Sequence, residues 1–235
     1  MKRLLDNLLR SATVHKVESL GARFKAITLT GPEIAGLSIR PGQQVRVQVG
    51  AANFLVDRVV GALRTYSVWR YDDTCLELRV FDHGEGPGAQ WARTVSEGDR
   101  VHILGPEGRF FCRPSPYHLF VGDETASVAF GAMIRALDDD APVYAVIEVD
   151  TEHEQLPIPG NVVWVHRRGR SPVRSAELGA AVARLDLPSP PGTAYLAGEA
   201  GTIQLVRNHL VSDRGWGRRD VMTKPFWAPG RRGMD

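Results

Sequence analysis

Residues 113–126, Arg113-Pro114-Ser115-Pro116-Tyr117-His118-Leu119-Phe120-Val121-Gly122-Asp123-Glu124-Thr125-Ala126, decide how this chain folds, because the period of its hydrophobic pattern changes there. The two prolines stiffen a connection. The mostly apolar run over 117–122 predicts a strand, and the pattern over 125–137 predicts a helix. Downstream the alternation continues, with strands expected over 143–149, 162–166, 194–197 and 220–223 and helices over 176–185 and 202–211. Alternating strands and helices build a doubly wound parallel sheet. Only 150–160, which carries two prolines, is expected as a loop where a helix would otherwise stand.

Upstream of the boundary the period is two. Gln44-Val45-Arg46-Val47-Gln48-Val49 puts valines on one face and polar side chains on the other, the pattern of a half-buried strand, and Cys75-Leu76-Glu77-Leu78-Arg79-Val80 repeats it. Weaker versions cover 13–19, 24–30, 64–70 and 100–104, with turns at Gly31-Pro32, Pro41-Gly42, Asp72-Asp73 and Glu97-Gly98-Asp99. Six short strands with punctuated turns predict a small antiparallel barrel, interrupted by one helix over 88–94. The expected fold class is therefore two-domain. Residues 1–113 form a six-stranded antiparallel β-barrel, and residues 114–235 form an α/β domain with a five-stranded parallel sheet.

Composition limits the classes of function. With 43% hydrophobic and 24% charged residues among 235, the chain has the balance of a globular protein, which excludes disorder and collagen-like repetition. Lys+Arg is 29 and Asp+Glu is 27, so the net +2 is too small for a protein that coats nucleic acid. Any basic site must be local, and no nucleic-acid partner is expected. Cys75 and Cys112 are too few for a disulfide framework and too far apart for a zinc knuckle, so they read as free thiols in a reducing compartment. Met1-Lys2-Arg3-Leu4-Leu5 imitates a signal peptide, but Asp6, Asn7 and Arg10 interrupt the apolar run, and a short surface helix is expected instead. No window approaches a membrane span. The expectation is a cytoplasmic monomer with no membrane partner.

Several segments carry groups able to hold phosphates. Gly84-Glu85-Gly86-Pro87-Gly88-Ala89 follows a strand and opens a helix, which aims backbone N–H groups and a positive helix end at an anion. A flexible turn with a proline at the first helical position is the other reading. On Arg64-Thr65-Tyr66-Ser67, Arg64 and Tyr66 share one strand face and Thr65 and Ser67 the other. A guanidinium can hold a pyrophosphate, and a tyrosine ring can lie against a flat cofactor. The first strand of the second half ends in Gly122-Asp123-Glu124-Thr125-Ala126 and the fourth in Ala197-Gly198-Glu199-Ala200, and such matched endings mark a ligand crevice in an open parallel sheet. Asp123 or Thr125 serves equally well as a helix N-cap. His166-Arg167-Arg168-Gly169-Arg170 suits an adenosine 2′-phosphate, or is a solvated basic loop. The seven histidines are scattered without metal-ligand spacing, and no G-x-S-x-G or G-x-x-x-x-G-K-[ST] occurs.

Taken in order, Arg64-Thr65-Tyr66-Ser67, Gly86-Pro87-Gly88-Ala89-Gln90-Trp91-Ala92, Gly122-Asp123-Glu124-Thr125-Ala126, Ala197-Gly198-Glu199-Ala200 and the ending Phe226-Trp227-Ala228-Pro229-Gly230-Arg231 resemble the siderophore-interacting protein family over nearly the whole chain. The resemblance implies a ferredoxin-reductase-like flavoprotein, with an FAD-binding Greek-key barrel and an NAD(P)H-binding α/β domain. Its implied activity is transfer of electrons from NADPH or NADH through FAD to the Fe(III) of a ferric siderophore, releasing Fe(II).

By the same resemblance, Arg64, Thr65, Tyr66 and Ser67 hold the flavin, and Gly86, Pro87, Gly88, Ala89 and Trp91 form its pyrophosphate-binding turn, with His83 just before it. Asp123, Glu124, Thr125, Ala126, Gly198 and Glu199 line the nicotinamide side, Arg167 or Arg168 lies near the adenosine phosphate, and Phe226 and Trp227 belong to the cofactor site. Arg46 and Arg231 are the implied cations for a ferric chelate. The family's ending is usually Tyr-Trp-Arg-Gly, so Ala228 stands where an arginine is usual, and Ser127-Val128 stands where Leu-Pro is usual. Two further readings therefore remain: a flavin electron carrier fed by a ferredoxin-type protein, and a flavin reductase of small-molecule biosynthesis on the same scaffold.

Overall fold

A computed structural model describes residues 9–50 and 63–231, so the short helix expected at the start lies outside the described residues. The chain divides into two compact units, Met1–Phe111 and Cys112–Asp235.

The first unit is a closed barrel of β1 (Arg10–Leu20), β2 (Phe24–Thr30), β3 (Gln44–Gln48), β4 (Leu63–Tyr71), β5 (Cys75–Phe81) and β6 (Arg100–Glu107), in the order β1-β2-β5-β4-β3-β6. Every pairing is antiparallel, and β1 against β6 closes the ring. The period-two reading holds residue by residue in β3, where Val45 and Val47 are buried while Gln44, Arg46 and Gln48 are half-exposed. Val45, Val47, Ile27, Leu29, Leu76, Leu78 and Ile103 form one core. Each such side chain contributes ~1.5–3 kcal/mol by leaving water. Between β5 and β6, α1 (Pro87–Thr94) turns Ala89 and Ala92 inward, and Pro87 opens it at the position where its missing N–H costs nothing.

In the second unit β7 (His118–Asp123), β8 (Val143–Val149), β9 (Val162–His166), β10 (Thr193–Glu199) and β11 (Val221–Trp227) pair in parallel in the order β11-β10-β7-β8-β9. The helices are α2 (Ser127–Ile134), α3 (Ala176–Ala183) and α4 (Ala200–Asn208). Every residue of β7 and β10 is buried, as expected for central parallel strands covered on both faces.

Several element bounds differ from expectation: α3 ends at Ala183, α4 spans Ala200–Asn208 and β6 runs to Glu107. The loop over 150–160 contains a single 3-10 turn, Glu152–Glu154. Helix α2 begins at Ser127 rather than 125, because the Asp123 carboxylate takes the Thr125 N–H and hydroxyl and holds that residue in a turn. The last strand runs past 223 to Trp227 with Pro225 inside it, which an edge strand tolerates because one side of its ladder needs no donor.

Chain order reverses between β7 and β10: the strands after β7 build outward through β8 and β9, then return to the other side as β10 and β11. Gly122 is what allows close approach there, since a Cβ on it would lie 2.2 Å from the Ala197 carbonyl oxygen.

Candidate functional site

In the barrel, β4 and the start of α1 build a cradle. Tyr66 and Arg64 lie against Gly88, where a Cβ would stand 2.6 Å from the Tyr66 hydroxyl oxygen and 3.5 Å from Arg64 Cγ. The Tyr66 ring packs on Trp91 with centroids 5.5 Å apart. Its hydroxyl is buried and has no hydrogen-bond partner, and burial pushes the phenol well above its usual pKa. Gly86 caps α1 with no side-chain hydrogen bond, so the N–H groups of the first turn lack a capping acceptor. An uncapped helix start, a guanidinium and an unpartnered hydroxyl beside aromatic rings suit an anionic phosphate joined to a flat ring. Ser67 is half-buried, while Thr65 and His83 are exposed, with His83 Cε1 4.0 Å from where a Gly86 Cβ would be. Sequence reasoning missed what holds this loop. Asp82 takes Arg93 Nε at 2.7 Å and Nη2 at 2.9 Å, and Arg93 also donates to the Gly84 carbonyl, tying the glycine loop to the far end of α1.

At the carboxyl edge of the parallel sheet the acidic residues are engaged by the protein itself. Asp123, fully buried, accepts the Thr125 N–H at 2.9 Å, the Glu199 N–H at 2.8 Å, the Trp227 indole N–H at 2.9 Å and the Thr125 hydroxyl. Neither Asp123 nor Thr125 caps α2; its N-cap is Ala126, whose N–H reaches the Asp123 carbonyl at 3.0 Å. Glu199 caps α4, accepting from Gly201 at 2.8 Å, from Thr202 at 2.7 Å and from the Arg174 N–H at 3.0 Å. Burial pulls the Glu199 carboxyl upward, but these backbone bonds outweigh it and hold its pKa below the usual value. Gly198 has φ +121°, and a Cβ on it would lie 2.6 Å from the Asp123 carboxylate.

Arg167 points inward. Its guanidinium makes two bonds of 2.6 Å to Glu124 and lies 3.5 Å from Glu148, and Ser175 donates to the other oxygen of Glu148. Burial pushes the Glu124 carboxyl up to about 7 against the pull of Arg167, and burial raises Asp123 and Glu148 as well. The two neighbouring arginines remain at the surface. Arg170 reaches Glu177 at 2.9 Å, and Arg168, with φ 54°, is exposed. Nothing in the local spacing marks Glu148 or Ser175, because only the fold brings Glu148 on β8 to Arg167 and the α3 cap Ser175 to Glu148.

Arg46 pairs with Glu107 at 2.6 Å. Arg231 is exposed, and its backbone N–H reaches the Ala228 carbonyl at 3.2 Å. Phe226 is half-buried, with Lys224 Nζ 5.5 Å from its ring centroid.

The fold is thus a closed antiparallel barrel carrying a cradle suited to an anion and a flat ring, followed by a parallel sheet whose strand order reverses between β7 and β10. Residues 48–110 match the model of the siderophore-interacting FAD-binding domain, and residues 115–230 match that of the siderophore-interacting protein. The chain belongs to the siderophore-interacting protein family. A siderophore utilization protein from T. fusca superposes with a TM-score of 0.83 at 27% identity, covering 97% of this chain and 95% of that one. The siderophore-interacting protein SipS from Aeromonas hydrophila gives 0.81 at 24% identity, covering 95% and 93%. An uncharacterized protein of Mycobacterium tuberculosis is 34% identical over 117 residues, 46% of this chain, and the match spans 41% of that relative's own length.

Proposed function

We propose that this chain is an FAD-dependent oxidoreductase that takes electrons from NADPH or NADH and delivers them to the Fe(III) of a ferric siderophore. The cradle at α1 carries the reading, above all the buried Tyr66 hydroxyl that has no partner of its own. Its residues fit FAD: Arg64 and the uncapped first turn of α1 suit the pyrophosphate, and the Tyr66–Trp91 pair suits the ring system. Bound there, FAD supplies the conversion of a two-electron hydride into one-electron steps that a ferric centre accepts. The chain's own part is to hold and orient. Arg64 gives a charge-assisted contact, Gly88 lets Tyr66 lie close to the helix, and the Asp82–Arg93 bonds keep the glycine loop in place.

In the second unit the strand reversal between β7 and β10 is the place where an open parallel sheet would take the pyridine nucleotide. With Arg167 engaged by Glu124, the exposed Arg168 is the residue left to meet an adenosine phosphate. The family match supports a siderophore as the iron carrier, and Arg231 offers a local cation to an anionic chelate in a chain of net +2.

One observation favours a second reading, a carrier fed by a ferredoxin-type protein: an arginine expected to select NADPH is buried against a carboxylate. Anaerobic titration separates the two. Bleaching of the flavin by NADPH or NADH, followed by reoxidation on adding a ferric siderophore, is the expected result. Reduction by a ferredoxin but by neither nicotinamide supports the carrier. Bleaching without reoxidation by any ferric chelate removes the siderophore and leaves the biosynthetic reductase.

A further inference from the structure

Three strands meet where the order of the parallel sheet reverses, and one carboxylate joins them. Asp123 ends β7, Gly198 and Glu199 end β10, and Trp227 ends β11. Oδ1 of Asp123 takes both groups of Thr125, while Oδ2 takes the Glu199 N–H at 2.8 Å and the Trp227 indole N–H at 2.9 Å. The absence of a side chain at Gly198 leaves the room this carboxylate occupies. Swinging the indole away would leave a buried carboxylate short of a donor, a change that charge-assisted bonds in a dry site resist strongly. The ring is therefore tied at the place where open α/β sheets take their ligands.

We propose that Asp123 is a positioning residue for the pyridine end of the dinucleotide. Its carboxylate fixes Trp227 as a standing aromatic wall at the strand reversal, so a flat pyridine ring is seated against a preset surface and not against one that moves aside. An aromatic face held in advance stacks on a ring without the cost of ordering a side chain during binding. The inference rests on the reading above that the chain uses a nicotinamide dinucleotide.

The test uses the FAD-loaded protein, labelled for NMR at its tryptophan indoles, with NAD+ and NADP+ as probes and calorimetry for affinity. Trp227→Phe keeps an aromatic ring but removes the latch, and it identifies the Trp227 signal by its loss. The indole N–H of Trp227 should exchange slowly with solvent. It should stay protected, with a shifted resonance, when dinucleotide saturates the protein. Affinity should weaken ~3–10-fold in Trp227→Phe, the scale of ordering one side chain on binding. Asp123→Ala, which removes both acceptor oxygens, should expose the indole to exchange while the signals of the other tryptophans stay in place. An indole that exchanges freely, that loses protection when dinucleotide binds, or a Trp227→Phe variant that binds as tightly as the parent would overturn the positioning role alone. If the parent protein binds neither dinucleotide, the nicotinamide reading falls and this inference falls with it.

Discussion

Arg64 and Arg167 show how differently two arginines of one chain are used. Arg64 stands beside an uncapped helix start, with its Nη1 donating to the neutral Leu63 carbonyl at 2.7 Å. Arg64→Ala should weaken FAD binding by ~1.5–3 kcal/mol, about 10–100-fold, which flavin fluorescence quenching would measure. Unchanged affinity would take Arg64 out of the site. Arg167 is locked to Glu124 in a pair only 5% and 7% exposed, so its loss leaves buried carboxylates without their cation. Arg167→Met should cost ~3–5 kcal/mol in urea unfolding, whereas Arg168→Ala should stay within ~0.5 kcal/mol while raising the KM for NADPH. Equal stabilities of the two variants would contradict the inward placement of Arg167. In the sequence these arginines were indistinguishable, since the partners of Arg167 lie 43 and 19 positions away, Glu124 in the turn after β7 and Glu148 on β8.

Among the elements, those whose ends are set by local chemistry were legible and those set by distant contacts were not. The strands over 24–30 and 162–166 match their expected bounds, because their apolar patterns stop at turn residues and loops. The start of α2 and the end of β11 were misplaced, the first by the Asp123 bond to Thr125 and the second by an edge position that tolerates Pro225. The glycines of the candidate site were visible as motifs, yet only the fold reveals that Gly122 and Gly198 serve close packing between β7 and β10. The ring of acids at these strand ends also predicts a pH dependence. The carboxyl of Glu124 sits near 7 in the folded state, above its ordinary 4.5. Its share of stability is therefore complete below pH ~4.5 and is lost as pH rises through about 7. Asp123 and Glu148, also raised, act in the same direction. Burial lowers the His118 imidazole and so opposes part of this effect, but the three acids together should make the Tm of the second unit fall between pH 5 and pH 8, and Glu124→Gln should flatten that slope. A Tm that rises over this range, or a slope unchanged in the variant, would refute the assignment.

For the whole molecule, the change of hydrophobic period near residue 113 separated a barrel from a parallel sheet, and the chain divides into the compact units Met1–Phe111 and Cys112–Asp235. That division was readable because a strand covered on one face and a strand covered on both leave different periods in sequence. The site was less readable, since its acids and arginines satisfy one another across strands and leave few groups free for a ligand. With a net charge of +2, the proposed attraction of an anionic chelate would rest on exposed local cations such as Arg231 and not on the surface as a whole. The barrel cradle of Arg64, Tyr66 and the α1 start is the proposed FAD site. Titrating FAD into the flavin-free protein tests it most directly: one FAD per chain should bind with a Kd of roughly micromolar or tighter, giving a yellow protein with quenched flavin fluorescence. A protein that stays colourless and leaves the fluorescence of FAD unchanged would contradict the account.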